Sequence, residues 1–455
     1  MNTIKIDFSK TVGIIKPLHG VNNAARKTDY GPLLPEFVSL RPPFSRLHDT
    51  AGVCGGGHYV DVANIFPEFG ADENEESSYD FLLTDRYVLP LCEAGIEPFF
   101  RFGTTIEHEP KKYRIFPPES FEKWASVCEH VVRHYNEGWA SGYRLGIRYW
   151  EIWNEPDGIA PDVEPYGPPN WLGTAEDYYR LYAVTARKIK SAHPDVFVGG
   201  YSSCYILGGF RNGHWEEGET LFFDGFLEYI TAPDTRAPLD FFSWHCYLSP
   251  DNLGKLRRES GFVDGRLARY GLSGAKRFNT EWNVCICDRD VPDRRYEYYV
   301  NFRNEKGGAC VLAALIEMQG CGIDAAMYYD SQLWLEYGGL FDVPSLDPTP
   351  AYHALRYFSE LYEAGNECET TRPEGVYALA AAGEDRRRVF VLCNPTGKPI
   401  DVQTELVGAD HTFDAFIVDS KLPERFFAKV KSGDVLTLPP FSQVIARCGI
   451  ITRNP

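Results

Sequence analysis

Eight short apolar runs recur between residues 18 and 329, and stretches with helical spacing lie between them. The runs are LHGVN (18–22), FSRLH (44–48), EPFFRFG (97–103), IRYWEIWN (147–154), VFVGG (196–200), DFFSWHCY (240–247), KRFNTE (276–281) and DAAMYY (324–329). Residues 120–136, 174–192 and 309–319 read as intervening helices, the second with acidic residues early and Arg or Lys late, as the helix dipole favours. Runs that alternate with helices are the pattern of parallel strands wrapped by helices, and eight such units close into a (β/α)8 barrel. A doubly wound open sheet is the rival, but no GxGxxG follows the first run and no Walker-type loop occurs, so its usual cofactor rationale is missing.

After residue 362 the pattern changes to short strands at 377–382, 388–394, 400–406, 412–418, 435–438 and 443–447, separated by turn residues. That reads as an antiparallel β-sandwich. Residues 3–8 alternate Ile4, Ile6 and Phe8, the pattern of one more strand of that sandwich. The expected organisation is a catalytic barrel over 15–365 and a sandwich over 366–455, completed by the N-terminal strand 1–14. A chain of 455 residues with 44% hydrophobic content has enough apolar surface for both.

The formal charge of −18 argues against a nucleic-acid partner and favours a neutral ligand over an anionic polymer. The N-terminal MNTIKIDFSK lacks a basic-then-apolar signal pattern and no run of ~18 apolar residues occurs, so the expectation is a cytoplasmic protein with no membrane partner. Homo-oligomerisation is compatible with the sequence. Twelve cysteines without a CxxC pair read as reduced, mostly buried thiols. His48, Asp49 and His58 match no metal-ligand spacing, and neither a metal nor a cofactor is expected. No GxSxG elbow supports an esterase.

The strongest local signal is YWEIWNEPD, residues 149–157. Strand alternation puts Tyr149, Glu151, Trp153 and Glu155 on one face, and Pro156 stops the strand just after the carboxylate. Glu155 is thereby expected at the C-terminal rim of strand four, where barrel enzymes place reacting groups, with Glu151 a structural residue one pleat repeat below. FNTEWN, residues 278–283, ends strand seven with Glu281. Two rim carboxylates from non-adjacent strands can face each other across the mouth. A retaining glycosidase needs such a pair ~5–5.5 Å apart, and an inverting one ~6.5–9.5 Å to admit a water.

With an Asn-Glu-Pro ending strand four and a Glu ending strand seven, the chain resembles the large clan of barrel glycosidases that retain configuration. Within that clan it is most similar to glycoside hydrolase family 39, the β-xylosidase and α-L-iduronidase family, because WNEPD, SWHCY and TEWN fall at the expected strands. The resemblance covers roughly residues 15–365. It implies Glu155 as acid/base and Glu281 as nucleophile, with Asn154 on the sugar 2-hydroxyl and His245 and Tyr247 lining the glycone site. It also implies that Arg46 and His48 contact the nucleophile or the sugar. Where β-xylosidases of the family carry a Trp at the end of strand eight, this chain has Tyr329, and Trp334 of the following loop is the other stacking candidate.

The function these features predict is an exo-acting, β-xylosidase-like retaining hydrolase of short neutral oligosaccharides or glycosides. The same chemistry on a uronic acid, glucose or arabinose unit, or a non-catalytic carbohydrate-binding barrel, are the alternatives. A uronic acid would need a cation in the glycone pocket, for which Arg101 and Arg289 are candidates.

Overall fold

The computed structural model describes residues 2–28, 31–48, 50, 58–105, 112–158, 170–204, 206–211, 214–217, 221–285, 302–333, 337, 339–343, 345–409 and 411–448. Each of the eight apolar runs contributes one strand to a closed, all-parallel barrel: Gly20–Asn22, Phe44–Leu47, Glu97–Phe102, Tyr149–Ile152, Phe197–Ser203, Phe241–Leu248, Lys276–Val284 and Ala325–Tyr328. They are numbered barrel strands one to eight below.

Four of the described helices start where a side chain satisfies one of their first amides. Ser120 caps Phe121–Asn136 by accepting from Lys123 N, and Thr174 forms a reciprocal capping box with Asp177 at the head of Ala175–Ala192. The helix after strand seven runs Glu305–Gln319, four residues longer at its N-terminus than the sequence pattern suggests. Gly307 and Gly308 look like helix breakers in sequence. Here they are packing residues: a Cβ on Gly307 would lie 2.1 Å from Phe302 O, and one on Gly308 would lie 2.5 Å from Pro350 Cβ.

Inside the barrel the layers differ in polarity. Phe44, Phe99, Tyr149, Phe241, Phe278, Ala325 and Met327 form a separate apolar cluster that plugs the lower barrel, with Phe99 and Tyr149 stacked at 5.6 Å. Two residues further along strands two, three and four stand Arg46, Arg101 and Glu151, all fully buried. The apolar floor keeps water out from below, so the charges above it interact in a medium of low dielectric.

The C-terminal strands form a nine-stranded sheet that curls over its own core. Phe8 and Phe413 belong to strands with four others between them in the sheet order, yet their rings stack at 5.5 Å. That contact is possible only if the sheet folds back on itself as a sandwich. Two of its strands, Asn366–Thr371 and Arg425–Val430, escape the sequence pattern because neither alternates cleanly. The N-terminal strand runs beyond the alternating stretch 3–8, over Asn2–Ile14, and joins the sheet between two C-terminal strands. It pairs antiparallel with Asn366–Thr371 but parallel with Ile400–Val407. No hairpin links it to either neighbour, so nothing forces both pairings to be antiparallel.

Among the described cysteines, Cys92, Cys128, Cys246, Cys310, Cys321, Cys368 and Cys393 are free thiols. Among the described residues no helix is long and apolar enough to cross a membrane.

Candidate active site

Strand four ends at Ile152, and the chain then takes two left-handed residues, Trp153 (φ 72°) and Glu155 (φ 45°). Strict alternation therefore fails beyond Ile152, correcting the expectation that Trp153 and Glu155 share a face. Trp153 turns outward to pack against Trp124 and Trp171, with its indole N–H donating to Asn170 O at 3.0 Å. Asn154 and Glu155 both turn inward. Each left-handed non-glycine costs roughly 1–3 kcal/mol, and hydrogen bonds donated by Trp153 N to Phe102 O and by Glu155 N to Ser202 O hold the turn in place.

Strand seven reaches the same end by a bulge. Asn279 pairs with Trp244 and Glu281 with His245, so Thr280 is the extra residue. The bulge changes parity, which lets Phe278 fill the barrel floor while Glu281, three residues on, also points to the axis. Strand seven continues to Val284 rather than ending at the carboxylate.

Arg46 is the hub of the site. Its Nε donates to Glu151 Oε2 at 2.6 Å, its Nη1 to Glu281 Oε1 at 2.7 Å and Asn22 Oδ1 at 3.1 Å, and its Nη2 to Asn154 Oδ1 at 2.7 Å and Ser202 Oγ at 3.0 Å. Burial works against the guanidinium charge, but Glu151 and Glu281 more than offset it, and the pKa is driven upward. Arg46→Leu would leave two carboxylates buried without their counter-charge. The expected loss is about 3–5 kcal/mol of stability, read from the denaturant midpoint at constant slope.

Glu281 is buried and held on both oxygens: Oε1 by Arg46, with His48 Nε2 at 3.4 Å, and Oε2 by the Tyr247 hydroxyl at 2.9 Å. Glu155 is more open, its side chain 14% accessible, with His245 Nδ1 2.6 Å from Oε1 and Asn170 Nδ2 donating to Oε2 at 2.9 Å. His245 also stands 3.4 Å from Glu281 Oε2, so one imidazole spans both carboxylates. Ligating atoms of Glu155, His245 and Glu281 all lie within 4.8 Å of one another. A metal ion could be held by that trio, yet the spacing is also that of two carboxylates straddling an anomeric carbon.

Asn154 gives its carbonyl oxygen to Arg46, and its buried Nδ2 has no hydrogen-bond partner among the described residues. Tyr329 is buried against His48, Tyr247 and Tyr337. Trp334 lies outside the described residues, as do Asp49 and Arg289. His58 Nδ1 stands 3.5 Å from Asp61 Oδ2. Arg101 donates to Thr104 O and approaches Asp61. Burial pushes the Asp157 carboxyl up to about 7, opposed by bonds from Cys204 N and Ser203 Oγ and reinforced by neighbouring Glu155.

Several residues at the site carry no local sequence signal. Asn170 sits fifteen positions beyond Glu155 in a Pro- and Gly-rich stretch, and Asn22 and Ser202 are small polar residues at strand ends. Tyr337 was accessible to the aromatic argument that singled out Trp334, since it belongs to the same loop.

The sequence profile of Glycosyl hydrolases family 39 matches residues 49–256, a span that holds Glu155, His245 and Tyr247. A beta-xylosidase of Geobacillus stearothermophilus is 31% identical over 210 residues, covering 43% of this chain and 36% of that one. A beta-xylosidase of Caldicellulosiruptor saccharolyticus is 31% identical over 380 residues, 75% of this chain and 70% of that one. The chain belongs to glycosyl hydrolase family 39. This family 39 chain thus spans about a third of the first relative and more than two thirds of the second. Its fold is also that of a glucosidase from Croceicoccus marinus, with a TM-score of 0.79 at 18% identity and 98% of both chains covered. Family 39 membership places it among the retaining glycosidases.

Proposed function

We propose that the chain hydrolyses a glycosidic bond by double displacement, with Glu281 as nucleophile and Glu155 as acid/base. What carries this reading is the short gap between two carboxylates in unlike surroundings, their oxygens within 4.8 Å. Arg46 and Tyr247 hold Glu281 in its charged form, ready to attack the anomeric carbon. Repulsion from that charge favours a proton on Glu155, shared toward His245, and the proton goes to the leaving oxygen. Once Glu281 is esterified its charge is gone, the Glu155 pKa falls, and Glu155 accepts a proton from the water that releases the sugar.

Asn154 Nδ2 is the donor for the sugar 2-hydroxyl, and His48, Tyr247 and Tyr329 line the glycone side; Trp334 is retained as a stacking candidate. The glycone is a neutral pentose, with exo action on short oligosaccharides or glycosides. The xylose preference rests on the two relatives, both named beta-xylosidases. Neutrality is supported by Arg46 and Arg101, whose guanidinium groups are engaged with protein partners. The test is a panel of aryl β-xylosides, β-glucosides, α-L-arabinosides and β-glucuronides with the first-formed product followed by NMR. Retention of configuration with xyloside turned over fastest is expected. An inverted first product would overturn double displacement, and a faster glucuronide would overturn the neutral glycone.

A further inference from the structure

The two oxygens of Glu155 have unlike partners. Oε1 stands 2.6 Å from His245 Nδ1, and the same nitrogen lies 3.4 Å from Glu281 Oε2, so this is the side that faces the other carboxylate. Oε2 accepts from Asn170 Nδ2 at 2.9 Å. Asn170 is buried and held at two further points: its main-chain oxygen accepts the Trp153 indole N–H at 3.0 Å, and its amide oxygen accepts from Lys112 Nζ. An ammonium group can only donate, so Lys112 fixes which end of the Asn170 amide is oxygen. The NH2 end is the one turned to Glu155.

An amide NH2 is a donor only, and a carboxylic acid meets such a donor best with its carbonyl oxygen. Oε2 is thereby kept as acceptor, and a proton on Glu155 goes to Oε1. The bond from Asn170 also favours the charged carboxylate, and Lys112 strengthens it by polarising the amide. The other charged or titratable groups around Glu155 lie elsewhere: His245 bridges Oε1 to Glu281, Arg46 is paired with Glu281, and the Asp157 carboxyl is bound by Ser203 Oγ and Cys204 N. We infer that Asn170, backed by Lys112, is a positioning residue for the acid/base: it steers the proton of Glu155 to Oε1 and weakens its hold there, so that one carboxyl can serve first as acid and then as base. The inference rests on the acid/base role proposed for Glu155.

The variant that tests it is Asn170→Asp, which keeps the side-chain size and an acceptor for Lys112 but turns the donor facing Glu155 into a second acceptor. In the pH profile of kcat/KM for methyl β-xyloside, whose leaving alcohol needs the acid, the basic limb should move up by about one pH unit while the acid limb moves far less. Lys112→Met, which keeps the amide and removes the charge behind it, should move the basic limb the same way by a smaller step, and an unmoved limb there would strike the lysine from the unit. Carbon-13 NMR of labelled glutamate carboxyls, with the Glu155 signal assigned by its loss in Glu155→Gln, reads the same titration without catalysis. If that titration ignores Asn170→Asp, the inference is overturned, and a loss of equal size at every pH would then mark Asn170 as a residue that only packs. If it rises and the limb of kcat/KM does not follow, Asn170 does govern the proton, and it is the acid/base role of Glu155 that fails.

Discussion

Glu281→Ala is expected to lower kcat on aryl xylosides by roughly 10⁴–10⁶-fold, the scale on which removal of an attacking nucleophile acts. The site around Glu281 explains why no neighbour substitutes for it. Glu151, the other carboxylate bonded to Arg46, sits a layer lower with its Oε2 committed to Arg46 Nε. In the proposed mechanism Glu155 approaches from the leaving-group side, the wrong face for displacement. Arg46 and Tyr247 would lose their shared acceptor, but both retain geometry through other contacts, so the variant should fold. Aryl alcohol release from wild type and Glu281→Ala is the measurement, and equal rates would remove the nucleophile assignment altogether.

Glu155→Ala should behave differently, because its damage depends on the leaving group. Glycosides of alkyl alcohols need the acid's proton, and their kcat/KM is expected to fall by about 10²–10⁴-fold. Dinitrophenyl glycosides leave as stable anions, so formation of the glycosyl-enzyme should be little affected. The second step loses its base for every substrate alike. The glycosyl-enzyme then accumulates, and KM for the activated substrate should drop together with kcat. A uniform loss across leaving groups, with KM unchanged, would argue that Glu155 holds structure and does not move a proton.

Most of the architecture is legible in the chain because it rests on periodicity. Each of the eight apolar runs found its strand, and the caps at Ser120 and Thr174 mark their helices within a residue. Periodicity is also what fails at the two strands that carry Glu155 and Glu281. Period-two reasoning places Glu155 on the rim for the wrong reason, since left-handed residues at 153 and 155 reset the alternation. It has no means of anticipating the bulge at Thr280 that turns Glu281 to the axis. Both departures from regular strand geometry lie where chemistry needs a side chain aimed rather than packed. Asn170 and Ser202 were illegible for another reason: their partners are set by tertiary approach, and an isolated Asn or Ser carries no pattern of its own.

The N-terminal strand has one more implication, for the order in which the molecule can assemble. Asn2–Ile14 precedes the whole barrel in the chain, whereas both strands that flank it in the sheet follow the barrel. During synthesis it must therefore wait, unpaired, while eight β/α units emerge. The barrel is in this way strapped between two segments that flank it in the chain, and the strap fastens only after the eighth β/α unit has been made.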